Sequence, residues 1–167
     1  MNAQFGTGTW RGMAATLAAG AVSLALSTGA LAWSGQVEGR PASFQPGAAG
    51  GYYVWRTDTE TPHWHVETTD RPGFNHLYTG TLTTDGQFTG VNVTQPEGDD
   101  WIQQIGPGTI QYHFHTYSGR DGVRFDIVGG SQLTLALGRD GQPIGRDRIY
   151  LGAAAEHPAS NPFTLVR

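Results

Sequence analysis

Cysteine and lysine are both absent from this 167-residue chain, and all ten of its basic residues are Arg. Without Cys there is no disulfide, no thiol nucleophile, no iron–sulfur cluster and no thiolate metal site. Charged residues make up only 14% of the chain and the formal net charge is −4. A mildly acidic chain with no basic cluster argues against nucleic acid or an anionic membrane as partner. Beyond residue 32 no window of 10–12 residues has helical spacing, and there is neither an internal repeat nor a heptad. Ser118 and Ser131 lack a His–Asp partner pattern, so serine-hydrolase chemistry has no support.

What is present falls into three parts. Arg11 precedes an apolar run from Met13 to Leu31, and Ala30-Leu31-Ala32 supplies the small residues of a cleavage site before Trp33. Residues 1–32 therefore read as a secretory signal peptide, which places the protein outside the cytoplasm as a secreted, periplasmic or cell-surface chain. Residues 33–50 are rich in Gly, Ala and Pro with no apolar period and read as a flexible arm. The remainder, 51–167, is the expected folded domain. The chain from Trp33 onward carries nine Arg against fourteen acids, a net charge of −5, and no transmembrane span is expected in it.

The punctuation of 51–167 is that of an all-β protein. Val123, Phe125 and Ile127 alternate with polar residues, as do Leu133, Leu135 and Leu137, and Ile110, Tyr112 and Phe114. Asp85-Gly86 and Asp140-Gly141 separate such runs, and Asp-Gly accepts the positive φ angles of tight hairpins. Asp121-Gly122 closes a connection after Tyr117. Strands are expected at about 51–56, 62–69, 74–84, 87–95, 100–105, 109–117, 122–128, 131–137, 147–151 and 162–166. That density predicts an antiparallel two-sheet sandwich, with a small barrel as second choice.

Six His in so short a chain are the unexplained part of the composition. On strands, His63, His65 and Glu67 project from one face with Trp64 and Val66 opposite, and His113 and His115 repeat the arrangement with Tyr112 and Phe114. Imidazoles at i and i+2 stand roughly 6–7 Å apart and can bend toward one cation. His76, on a strand expected to pair with 62–69, is a further candidate. With no Cys, imidazole and carboxylate are the strong ligands left, and imidazole suits zinc, copper, iron and nickel. Glu67 is placed by parity to hold an imidazole in one tautomer. His157 sits in a loop and reads as a surface residue.

The run Ile110–His115 resembles the zinc strand of α-class carbonic anhydrases, and His63-Trp64-His65-Val66-Glu67 resembles the first metal motif of cupins. The order His-X-His, single His, later His pair, with His113-Phe114-His115-Thr116-Tyr117-Ser118-Gly119, is similar to copper-binding superoxide dismutases. That last resemblance implies a copper centre drawn from His63, His65, His76, His113 and His115, with superoxide as a small anionic substrate. It also implies nearby cations that steer the anion, and Arg120 and Arg124 are nearest in sequence. The family's disulfide, zinc-loop ligands and final His segment have no counterpart here, so a copper-only version is implied, with zinc as the alternative metal. The competing reading is non-catalytic: a cell-envelope structural or adhesion module, with an envelope or S-layer protein as partner. Its carbohydrate-binding form would stack sugars on Tyr52, Tyr53, Trp55, Trp64 and Trp101. Asp99-Asp100 and Asp121/Asp126 match no calcium-loop spacing.

Overall fold

The computed structural model describes residues 33, 35–45, 50–57, 63–94, 96–116 and 120–167. The expected signal peptide, 1–32, lies outside them. The described residues form eleven strands and two 3-10 turns (Gly35–Val37 and Arg146–Arg148). The strands are β1 (Gly51–Arg56), β2 (Trp64–Thr69), β3 (Leu77–Thr84), β4 (Gln87–Thr94), β5 (Trp101–Gly106), β6 (Thr109–His115), β7 (Arg120–Val128), β8 (Gln132–Arg139), β9 (Gln142–Pro143), β10 (Ile149–Leu151) and β11 (Phe163–Val166). They make an all-β sandwich. One sheet runs β10-β1-β2-β7-β4 and the other β11-β8-β3-β6-β5, with β9 added beside β8. Every pairing is antiparallel except β1 with β10. Among the described residues no helix is long and apolar enough to cross a membrane.

The alternating residues read from the sequence supply the core. Tyr52, Trp64, Val66, Val123 and Phe125 from the first sheet meet Tyr78, Leu82, Tyr112, Phe114 and Leu135 from the second. Tyr52 ties the sheets together, since its hydroxyl donates to the carbonyl oxygens of Thr79 at 2.7 Å and Gly138 at 3.2 Å. Burial and the neighbouring Tyr112 hold that phenol well above its ordinary pKa, so it stays a donor. Gly80 lies on the inner face of β3, where an added Cβ would overlap the Tyr112 ring. Gly80→Ala should therefore destabilise the fold by about 2 kcal/mol or more, the range for overpacking a filled core. A lowered urea midpoint would report it.

Three expectations need correction. Asp85-Gly86 does not close a hairpin: β3 and β4 belong to different sheets, and the turn carries the chain across the sandwich. Asp85 instead accepts the backbone N–H groups of Ser131 and Gln132. Asp121-Gly122 is not a turn either, because both residues lie within β7. Asp140-Gly141 does turn back, with φ of 53° and 76°, and joins β8 to β9.

The third correction concerns the arm. Trp33 is 4% exposed and packs edge-on against Trp64 at 5.1 Å, and Val37 is fully buried. Phe44 covers the outer face of the first sheet over Tyr53 and Trp55, with the guanidinium groups of Arg40 and Arg120 above its ring. Each apolar residue of 33–45 inserts singly between polar or small neighbours, so no periodicity announced the packing.

Candidate metal centre

Within β2 and β6 the side chains alternate as expected. Trp64 and Val66 point inward, leaving His65 and Glu67 on the outer face of the first sheet. Tyr112 and Phe114 point inward, leaving His113 and His115 on the outer face of the second. The two pairs therefore stand on opposite sides of the molecule. Roughly 10 Å of packed core separates the sheets alone. His76 lies in a third place, just before β3, which pairs with β6 and β8 and not, as expected, with the strand of His63 and His65. The five imidazoles do not converge.

Each ring outside the second sheet's outer face has its own partners. His65 stacks flat on Trp55 at 4.5 Å toward β1, and its Nδ1 meets Glu67 Oε1 at 3.1 Å. Glu67 takes its other bond from Arg120 Nε at 2.7 Å. Burial raises the Glu67 pKa, but the bonds from His65 and Arg120 outweigh it and hold the carboxyl below its ordinary value. His63 leans the other way, toward β7, where its Nδ1 lies 2.6 Å from Asp126 Oδ1. Arg120 and Arg124, the expected steering cations, are on β7 of the first sheet, away from His113 and His115. His157 donates one bond through Nδ1 to the Ile149 carbonyl oxygen at 2.7 Å, so the proton is on Nδ1.

His113 and His115 do come together, and with Asp99 they form a group that could hold a metal ion. Atoms of these three residues lie within 4.8 Å of one another, the one such group among the described residues. Asp99 Oδ1 is 2.9 Å from His115 Nδ1, and Asp99 Oδ2 is 3.8 Å from His113 Nε2. Ligand atoms on a tetrahedral ion with bonds of about 2.0–2.1 Å stand ~3.3 Å apart, which these separations bracket. His113 Nε2 is buried and makes no hydrogen bond. A buried imidazole nitrogen without a hydrogen bond, set beside a carboxylate, is a group that a bound cation would satisfy. The bond from His115 holds the Asp99 carboxyl below its ordinary pKa, so it is ionised and ready to ligate.

No protein family, no curated protein and no solved structure matches this chain. The residues around the site are therefore the guide to its chemistry.

Asp100 sets the position of Asp99. Its Oδ1 accepts the His115 backbone N–H at 2.7 Å and its Oδ2 accepts that of Glu97 at 2.9 Å, pinning the loop before β5 onto β6. Trp101, directly across from His113 in the register, stacks on that imidazole at 5.7 Å. Behind the loop lies Asp121, 1% exposed, whose two carboxylate oxygens find no hydrogen bond among the described residues. Burial, then the charges of Asp100 and Glu97, push its pKa up to about 7. These acids give this end of the sandwich a negative field that favours a cation.

The carbohydrate platform is not assembled from the expected rings. Tyr52, Tyr53, Trp55 and Trp64 are buried, and of the five only Trp101 is exposed. A cleft of about 630 Å³ opens between β10 and β11 and is lined in part by Arg146, His157, Phe163 and Leu165.

Proposed function

We propose that the protein binds one divalent transition-metal ion through Asp99, His113 and His115, and that it does so outside the cytoplasm. The observation that carries this reading is the buried, unpartnered Nε2 of His113 facing Asp99 and His115. Two imidazoles and one carboxylate form a set of intermediate softness, which suits copper(II) or zinc(II) over magnesium or calcium. Copper(II) heads the affinity series for such ligands, so it is the ion assigned here, with zinc(II) second. Three protein ligands leave a coordination position for water or a small molecule, the arrangement of reactive sites rather than closed structural ones. Superoxide dismutation by a bound copper is the activity to assay first.

The test is a titration of chelator-treated protein with copper(II) and with zinc(II), followed by calorimetry. One ion per chain is expected, with copper(II) the tighter. His113→Ala and Asp99→Asn should each weaken binding by about 100-fold or more, exceeding the 10–100-fold typical of an outer partner. His63→Ala, His65→Ala and His76→Ala should leave it unchanged. At a free metal concentration 1,000 times Kd the ion should add about 4 kcal/mol to stability. Absence of stoichiometric binding, or its loss in the His63 or His65 variant instead, would refute the assignment.

A further inference from the structure

We propose that the pocket around His76 is an oxyanion site that takes a phosphate or sulfate group, free or carried as a monoester on a sugar. This inference does not rest on the metal reading. The pocket has a volume of about 280 Å³, and three of the chain's ten Arg line it, together with His76, Asp70 and Phe74. The three guanidinium groups come from separate places: Arg71 from the β2–β3 connection, Arg139 from the end of β8 and Arg148 from the turn before β10. Nothing in local sequence brings them together, and on a chain of net negative charge their convergence calls for a counter-charge.

The acids nearby are already engaged. Asp70 Oδ1 accepts the Arg71 backbone N–H at 2.9 Å, and its Oδ2 faces the Tyr78 hydroxyl at 3.4 Å and His76 Nε2 at 3.7 Å. Asp140 accepts the Leu77 N–H at 3.0 Å through Oδ1, and its Oδ2 lies 2.7 Å from His76 Nδ1. The cations are less well satisfied. The Arg71 side chain makes no ion pair or hydrogen bond to a described residue, and Arg148 donates through Nη1 to the Gly50 carbonyl at 3.3 Å. Arg139 Nε reaches Asp140 only at 3.9 Å, and its other contact in the pocket is with the neutral Tyr78 hydroxyl. Three guanidinium groups against Asp70 in the lining and Asp140 beside His76 leave a positive balance, with fork-shaped donors that match a tetrahedral oxyanion.

The floor depends on Gly50. A Cβ there would lie 2.7 Å from the Tyr78 hydroxyl, 3.0 Å from Asp70 Oδ1 and 3.1 Å from Arg139 Nη1, so the close approach of these groups needs glycine. At the rim Phe74 is 51% exposed and stacks on His76 at 5.8 Å. A large exposed aromatic beside a cationic floor suits a ring whose substituent is the anion, with the sugar lying on the Phe74 face.

Calorimetric titration of metal-free protein at low salt, with inorganic phosphate, sulfate, glucose 6-phosphate and glucose, tests this. Saturable one-site binding is expected for the three anions and none for glucose, with added salt weakening it. Arg71→Ala/Arg148→Ala removes two exposed side chains, leaves the fold intact by circular dichroism, and should weaken phosphate binding about tenfold or more. Glucose 6-phosphate should bind more tightly than phosphate, and Phe74→Ala should erase that advantage; equal affinities would restrict the site to the free anion. Failure of every anion to saturate, or undiminished binding by the double Arg variant, would overturn the proposal. Loss of anion binding would leave the copper titration at Asp99, His113 and His115 unaffected, so the two readings fail separately.

Discussion

Asp121→Asn should stabilise the protein by about 3 kcal/mol at pH 8, have little effect at pH 4, and flatten the pH dependence between them. The ordinary pKa of this carboxyl is 3.8, and in the fold burial and the charges of Asp100 and Glu97 raise it to about 7. A carboxyl raised on folding favours the native state fully below its unfolded pKa, and that contribution is lost as pH climbs toward the folded value. A difference of about three pH units corresponds to roughly 4 kcal/mol as an upper figure. The neutral amide carries no charge to desolvate, so the variant should recover most of it. Glu67 and Asp99 work in the opposite sense: their pKa values are lowered, so what they contribute is lost as pH falls through the acid range. The two effects occupy different windows, and urea unfolding from pH 4 to 9 separates them. A wild-type stability that rises steadily from pH 5 to 8 would contradict the assignment to Asp121.

Trp64→Ala should cost about 3–5 kcal/mol, a third or more of the stability of an ordinary domain. Trp64 is 1% exposed on β2, the middle strand of its sheet. Its ring meets Trp33 edge-on and lies parallel to Phe125 at 6.4 Å. Removing it opens a cavity that its neighbours on three strands cannot fill without breaking register, and it also detaches Trp33 from its seat. A melting temperature lower by about 10–20 °C is expected for a domain of this size. Trp64→Phe keeps an aromatic in the site and should cost less than half as much. Equal losses for the two variants would show that the position is not packed as described.

The strands were legible because each depends on a few neighbouring residues. Alternation marked β6, β7 and β8, and all ten expected strands have a counterpart in the fold. Outward-facing parity for His65, His113 and His115 followed from the aromatic residues between them, and so did the contact of Glu67 with His65. Strand order was not legible, since it depends on which hydrophobic faces meet after collapse. The same Asp-Gly pair that makes a hairpin at Asp140 makes a crossover at Asp85, and the difference lies in Ser131 and Gln132, more than forty residues away. For that reason five converging imidazoles and two were indistinguishable beforehand. Asp99 was visible only as half of an acidic pair, and its place beside His113 and His115 depends on β5 lying beside β6.

The placement of β10 and β11 bears on how the chain is made. β10 is the edge of one sheet beside β1, and β11 is the edge of the other beside β8. Both come last in chain order among the described strands of the sandwich, yet β10 must add to a strand begun about one hundred residues earlier. A nascent polypeptide halted before Ile149 would present the unguarded backbones of β1 and β8 to any neighbour, the kind of raw border on which aggregates grow. Productive folding therefore waits for nearly the whole domain to emerge, and a holding factor that shields those borders until then would raise the yield.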